Sequence, residues 1–450
     1  MSKTELFAVT GKPVGHSLSP YLFGRLFGAF GRTAVYSRLA ADSSREAIEI
    51  ARAIGIRGLN VTSPYKEEMR SLVKADAHAG RIGAVNCVML DGGGPDPRAD
   101  RGAESRAISS GVGYNTDFIG LAGALEAAGV ASEGRAALVL GTGGAGRAAA
   151  YGLVRAGAAR VVLAGRSLDR ARAAAKSLGC EAARLDDIER IIDGADLCVS
   201  CLPFPASRIL ARPLRDGTIV VDAHYAGRVL KDGGGRYPTA LSWLFHQAIP
   251  SFEIFTGLGV KPIIRKKIWA DFMTHEPQRK PHIALVGFMG TGKTAAGLEL
   301  ARLIGSEFAD TDEAVEASAG TAVPDIIRTR GESAFRALEK SALENIATAD
   351  GPRRVISAGG GAVLDPDNRR VLARNCRVVW LWAAARTVLS RIDVRTRPVL
   401  DHDRPLESAE QALAARIPFY ASVSDLIVSS ESREPLETAR RIKDEMDQTV

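Results

Sequence analysis

Gly287-Phe288-Met289-Gly290-Thr291-Gly292-Lys293-Thr294 is the stretch that decides how the rest of the chain is read. A short apolar run, His282 to Val286, precedes it, and Ala295, Ala296, Leu298, Leu300, Ala301 and Leu303 follow at helical spacing. Strand, glycine loop and helix, with G-x-x-x-x-G-K-[ST] at the joint, form the pattern of a phosphate-cradling loop. Glycines at 287, 290 and 292, with Thr291 between, let backbone N–H groups converge on phosphate oxygens without an intervening Cβ. The helix N-terminus adds partial positive charge. Lys293 is the residue type that reaches β- and γ-phosphates, and Thr294 offers a hydroxyl to Mg²⁺. A nucleoside triphosphate site is expected here, past the middle of the chain.

What surrounds it must therefore be something else. A chain of 450 residues is too long for one ordinary core, and two or three domains are expected. Hydrophobic residues at 46% and charged residues at 25% describe a globular chain, and 46 glycines with only 6% aromatics suit α/β architecture rich in tight turns. The net charge of +7 comes from arginines scattered singly, so a nucleic-acid partner is not expected; small anionic substrates account for the excess equally well. Five cysteines form no disulfide framework. Cys198 and Cys201 make a C-x-x-C inside an apolar strand with no second pair, which reads as buried thiols rather than zinc ligands. No basic-then-apolar leader and no run of about 18 apolar residues is present, so a cytoplasmic protein without membrane contact is expected.

A second glycine turn lies upstream. Ala136 to Leu140 is a continuous apolar strand, followed by Gly141-Thr142-Gly143-Gly144-Ala145-Gly146, a helix from Arg147 to Ala156 and a strand from Val161. G-x-G-x-x-G between strand and helix of a βαβ unit is a dinucleotide fingerprint. At the end of the second strand, Arg166, Ser167 and Arg170 stand where an NAD site carries an acid. Arginines there suit a 2′-phosphate, so NADP is favoured; the plainer alternative is that they are solvated helix-cap residues.

The first 120 residues carry short polar motifs at strand ends: Ser17-Leu18-Ser19-Pro20, Asn60-Val61-Thr62-Ser63-Pro64-Tyr65-Lys66, Ala84-Val85-Asn86 and Asn115-Thr116-Asp117. A Gly/Pro/Arg-rich stretch, 91–112, reads as a long hairpin tip between the last two. Singly these are capping and loop residues. Together, in this order, they resemble the substrate-side motifs of the shikimate dehydrogenase family. That resemblance implies that Ser17 and Ser19 hold the substrate carboxylate and that Thr62, Asn86 and Asp117 hold ring hydroxyls. It also implies that Lys66 and Asp117 form the catalytic pair. Reducing a ketone by hydride needs a proton donor at the developing alkoxide, which an ammonium oriented by a carboxylate supplies.

Further on the match is uneven. Ser200-Cys201-Leu202-Pro203 lacks the threonine that the family has near the nicotinamide, and Ser242-Trp243-Leu244 replaces a glycine-methionine pair. Asp222 to Tyr225 fits the family's D-x-x-Y strand, and Gln247 with Phe252 to Gly257 fits Q-x-x-x-x-F-E-x-x-T-G. By the resemblance Tyr225 and Gln247 touch substrate, and Gly257 belongs with the cofactor positions. The nicotinamide pocket is thus read as altered.

After a polar, proline-bounded linker, 275–281, the phosphate loop opens a segment that resembles the shikimate kinase family throughout. Its residues are Asp310-Thr311-Asp312, Gly331 to Glu339 with Phe335 and Arg336, Gly359-Gly360-Gly361, Arg397-Pro398-Val399-Leu400 and Arg416-Ile417-Pro418-Phe419-Tyr420. Alternation along a strand is expected to place Asp310 and Asp312 on one side, and 416–420 to close a helix. The resemblance implies a carboxylate clamp of Arg336 and Arg416, with Glu339 orienting Arg336 and the three glycines lining the substrate. Asp312 is implied to bind ring hydroxyls and to position or deprotonate the attacking one, with Asp310 and Thr294 at Mg²⁺. Lys293 and Arg397 on a lid are implied to neutralise the transferred phosphoryl.

The expected architecture is α/β: an N-terminal substrate-binding α/β domain (1–118, completed by helices in 242–274), a Rossmann-like NADP domain (119–241), and a P-loop nucleoside-monophosphate-kinase-like α/β/α domain (282–450). A dehydrogenase that makes shikimate from 3-dehydroshikimate and a kinase that consumes it with ATP are consecutive, so one chain carrying both is coherent. The alternatives are a kinase with a shikimate-binding regulatory front half, a quinate-type dehydrogenase, and a nucleic-acid-dependent ATPase, for which no basic groove is found. The sequence leaves oligomeric state open.

Overall fold

The computed structural model describes residues 4–90, 111–210, 214–224, 239–276, 278, 280–396 and 400–447. Their strands lie in two sheets. The smaller has five, in the order Ile219–Asp222, Leu197–Ser200, Ala136–Leu140, Arg160–Gly165 and Glu181–Arg184, all parallel. Parallel strands covered by helices on both faces carry continuous apolar runs. Leu138, Val139 and Leu140 accordingly have no exposed surface. The crossover helices are Gly144–Arg155 and Leu168–Leu178; the second starts where the Ser167 hydroxyl accepts from the Arg170 N–H and stops at Gly179 in the left-handed region.

The larger sheet has 11 strands. Five come from the segment after residue 281, in the order Glu307–Asp310, Arg354–Ser357, His282–Val286, Cys376–Trp382 and Leu426–Ser429. The sheet then continues, without a break, into Ala34–Ala40, Glu5–Gly11, Ile56–Val61, Cys87–Leu90, Gly111–Tyr114 and Lys74–Ala75. The joint is a parallel pairing in which Ile427 faces Leu39 and Val428 faces Ala40. Beside it, the Ser37 hydroxyl donates to the Ser424 carbonyl and Arg441 to the Ala41 carbonyl, while Arg433 reaches both Asp42 and Glu46. Each half therefore covers what is otherwise an open strand edge of the other.

Strand alternation builds two core layers that both cross the joint. One packs Leu6, Ala8 and Leu39 with Ala284, Val286, Trp380 and Ile427. The other packs Phe7, Val9 and Phe23 with Leu285, Val379, Val428 and Ile442. The stretch expected to be a plain tether is held as well: the His275 ring stacks on Tyr21, and Lys280 pairs with Asp425 at 2.8 Å.

Three local expectations need correction. The hairpin tip was bounded too widely, because Gly111 and Val112 already pair in a strand; 91–110 lie outside the described residues. Asp310 ends its strand, but Asp312 lies in the first turn of the helix Thr311–Ala319, so alternation does not relate them; the Asp310 carboxylate caps that helix and accepts from the Asp312 N–H at 2.9 Å. Arg416 and Tyr420 do not close a helix: they lie within Pro405–Val423, which continues through Pro418.

Candidate active sites

The front site forms where the strands Glu5–Gly11 and Ile56–Val61 end. Lys66 opens the short helix Lys66–Met69 and Asp117 opens the helix Asp117–Ala127, so both side chains project into the same cleft. Lys66 Nζ donates to Asp117 Oδ2 at 2.6 Å, with side chains 14% and 8% exposed, burial that strengthens their attraction relative to water. Asn86 ties the group together. Its Nδ2 lies 2.9 Å from Asp117 Oδ1, 3.0 Å from Thr116 Oγ1 and 3.2 Å from Gln247 Oε1, and its Oδ1 accepts from the Thr116 N–H at 2.7 Å. Gln247 arrives on the helix Ala240–Thr256, which packs on Asp117–Ala127. Ser17 and Ser19, both buried, lie with their hydroxyls 3.2 Å apart, and Thr62 stands half-buried at the turn before Lys66.

Sequence reasoning missed one contributor. Trp243, read only as a departure from the family, donates its indole N–H to the Asp117 carbonyl at 2.8 Å and so fixes the residue that orients Lys66. Its position on the same helix as Gln247 was the available signal. Tyr225 lies outside the described residues.

The dinucleotide turn presses on this cleft. A Cβ at Gly144 would come within 2.7 Å of Lys66 Cβ, so the close approach needs glycine there. Gly143 caps the helix in extended conformation, with Ala145 and Gly146 in its first turn after Gly141. Cys201 lies at the other wall; burial pushes its thiol up, with Lys66 pulling it down and Asp117 raising it, so this turn lies within the field of the Lys66–Asp117 pair. Arg166, Ser167 and Arg170 are exposed, and Arg170 reaches Glu67 at 3.3 Å, as does Arg147. Gly257 ends the helix Ala240–Thr256 at φ +70°.

The rear site is built around the loop 287–292, with Gly290 and Gly292 in the left-handed region at φ +70° and +82°. Thr291 is buried, and Lys293 folds over the loop, donating to the Gly287 and Phe288 carbonyls at 3.0 Å. Thr294 Oγ1 donates to Asp310 Oδ2 at 2.8 Å. Arg336 donates to Glu339 Oε2 at 2.8 Å and also pairs with Glu332. Arg416 and the Tyr420 hydroxyl both donate to the Gly360 carbonyl, at 3.3 and 2.6 Å. Two of the three glycines stand in crowded positions: a Cβ at 359 would lie 2.3 Å from Glu339 Oε1 and 2.9 Å from Asp312 Oδ1, and one at 361 would lie 2.4 Å from an Arg336 nitrogen, whereas one at 360 would come no nearer than 3.3 Å to any atom.

Asp312 Oδ1 and Glu339 Oε1 are buried acceptors with no hydrogen-bond partner. Such atoms are costly unless something donates to them, which is what a hydroxyl-bearing ligand can do. Burial and then the neighbouring Asp310 raise Asp312 above the ordinary carboxylate range; burial raises Glu339, opposed by Arg336. A raised carboxylate is the better proton acceptor near neutral pH. Arg397 lies outside the described residues, and among the described residues no cluster of three or more metal-ligating side chains exists.

Comparison with known proteins finds family matches over both parts of the chain. The family "Shikimate dehydrogenase substrate binding domain" matches residues 9–88, "Shikimate / quinate 5-dehydrogenase" matches 124–217, and "Shikimate kinase" matches 289–447. A shikimate dehydrogenase (NADP(+)) of Halobacterium salinarum is 35% identical over 267 residues, 56% of this chain and 94% of the relative. Shikimate kinases of Hahella chejuensis and Halorhodospira halophila are 39% and 40% identical, each over 36% of this chain and 84% and 90% of the relative. With the Lys66–Asp117 pair under a glycine turn in front and a phosphate loop beside Asp312 and Arg336 behind, the chain belongs to the shikimate dehydrogenase family over its first part and to the shikimate kinase family over its last.

Proposed function

We propose that the chain performs two consecutive steps: NADP-dependent, reversible reduction of 3-dehydroshikimate to shikimate, then ATP-dependent phosphorylation of shikimate to shikimate 3-phosphate. The observation that carries this reading is the buried Lys66–Asp117 pair lying directly under Gly144 of the dinucleotide turn. In the first step a reduced nicotinamide bound at the dinucleotide turn would supply hydride to the ketone carbon. Lys66 gives its proton to the carbonyl oxygen while Asp117 keeps the ammonium oriented. Ser17 and Ser19 hold the carboxylate, and Thr62, Asn86, Gln247 and Tyr225 the ring. The exposed Arg166 and Arg170 take the 2′-phosphate, which requires Arg170 to leave Glu67.

In the second step the substrate hydroxyl oxygen attacks the γ-phosphorus, its proton passes to Asp312, and ADP leaves. Arg336 and Arg416 clamp the carboxylate, and Lys293 and Arg397 stabilise charge on the transferred group. The hard oxygens of Thr294 and Asp310 fit Mg²⁺, which supplies positive charge to the phosphates and usually takes one or two protein ligands. The segment boundaries 1–118 with 242–274, 119–241 and 282–450 are part of this reading. No described helix is long and apolar enough to cross a membrane, and a cytoplasmic location is proposed with the pathway.

The test is nicotinamide reduction by the purified chain with shikimate and NADP⁺ or NAD⁺, without ATP, alongside ADP formation from shikimate and ATP. Both activities, with NADP⁺ preferred, are expected. No turnover with either cofactor in a sample whose kinase works would leave the front half a binding module, and faster turnover of quinate than of shikimate would replace the substrate.

A further inference from the structure

The last described helix of the kinase segment, Pro435–Asp447, packs against the loop that leads into the dehydrogenase site. Glu445 is completely buried, and its Oε2 accepts hydrogen bonds from the backbone N–H groups of Val14 and Gly15, both at 2.7 Å. Those residues begin the loop that presents Ser17 and Ser19. Arg441, one turn earlier, pairs with the other Glu445 oxygen at 3.2 Å and donates to the Ala41 carbonyl, which balances the buried charge.

Two further contacts support the same loop. A Cβ at Gly15 would lie 1.8 Å from the Glu445 carbonyl oxygen, so helix and loop are in direct backbone contact. Arg38 donates to the Ser17 carbonyl through Nε and Nη2, at 3.0 and 2.6 Å, and through Nη1 to the Asp425 carbonyl in the kinase segment at 3.1 Å. One end of the serine loop is thus fastened directly to the kinase segment through Glu445, and the other to Arg38, which is itself tied to the Asp425 carbonyl of that segment.

We propose that Glu445 is a positioning residue of the dehydrogenase site: it sets the Val14–Ser19 loop so that the Ser17 and Ser19 hydroxyls are preorganised for the substrate carboxylate. This rests on the shikimate dehydrogenase reading above. The carboxylate is remote from the reacting ketone, so its contacts are equal in ground and transition states and act on KM more than on kcat. An acceptor for two inward N–H groups cannot be replaced by water in a fully buried site without the loop shifting. The kinase half thereby completes the site that makes its own substrate.

The experiment compares wild type with Glu445→Ala, Glu445→Gln and Glu445→Asp in the full chain, measuring KM and kcat for shikimate with NADP⁺ and kinase turnover of the same samples as a report of folded protein. Glu445→Ala is expected to raise the dehydrogenase KM for shikimate roughly tenfold or more with kcat within about threefold, leaving KM for NADP⁺ unchanged. Glu445→Gln keeps an acceptor oxygen at the same reach and should restore KM to within about threefold of wild type. If Glu445→Ala does not fold, Glu445→Asp, one methylene too short to make both bonds, should show an intermediate KM. A KM for shikimate that stays at the wild-type value in both the Ala and Asp variants overturns the inference, as does a loss confined to kcat. Absence of dehydrogenase turnover in the wild type would instead strike at the underlying reading.

Discussion

Replacing Gly359 by alanine puts a single methyl into the tightest point of the kinase site. Its backbone is compatible with an L side chain, so strain at that residue does not enter. The added Cβ would lie 2.3 Å from Glu339 Oε1 and 2.9 Å from Asp312 Oδ1, where 3.4 Å or more is ordinary contact. Glu339 is 1% exposed and cannot swing into solvent, so its carboxylate must retreat by about 1 Å. Glu339 holds Arg336 at 2.8 Å, and the retreat carries the clamp with it while pushing Asp312 off line. Overpacking of this size costs about 1–3 kcal/mol of stability, and a 1 Å misplacement about 10²-fold in rate. Kinase kcat/KM should therefore fall about a hundredfold while shikimate oxidation by the same sample is retained. The assay is coupled ADP release, with nicotinamide reduction as internal control. A kinase kcat/KM within threefold of wild type would mean that Glu339 and Asp312 yield freely, and the crowding argument would fail.

Other expectations follow from the same geometry. Lys66→Ala should abolish ketone reduction and spare the kinase, and Lys293→Ala should do the reverse; loss of both activities in a folded variant would contradict separate chemistries. Because the folded Asp312 lies above its ordinary 3.8, its ionised form costs stability once pH rises past that value. Asp312→Asn should thus raise Tm at pH 7 while eliminating phosphorylation, with the Tm gain shrinking near pH 4; an unchanged or lower Tm at pH 7 would refute the assignment. His16, His246 and His282 are lowered by burial from 6.5, so the unfolded chain takes up protons first and stability should decline as pH falls through that value, readable by denaturant titration. Residues 1–281 expressed alone would leave Ala34–Ala40 as an open edge over an uncovered apolar layer, and should self-associate in size-exclusion chromatography. A monodisperse monomer with wild-type KM would show that the joint contributes nothing.

Much of this protein is determined by its sequence alone, because the decisive signals are local. Glycines at 141–146 and 287–292 sit between an apolar strand and a helix, and that spacing specifies a phosphate-facing turn whatever the rest of the chain does. The residues of each site also follow from short motifs at strand ends, and Lys66, Asn86, Asp117 and Gln247 do converge. Tertiary structure decided what depends on partners far apart in sequence. Asp312 reaches its place through a helix cap, not strand alternation, since one side-chain bond at Asp310 turned the chain. Trp243 gained a task only once its helix lay across Asp117. Above all, the pairing of Leu426–Ser429 with Ala34–Ala40 has no sequence signature: both are short, mostly apolar strands like several others in the chain, so composition cannot say which two will be neighbours. That single choice merges two cores into continuous layers and sets Glu445 of the last helix against the loop that begins at Val14.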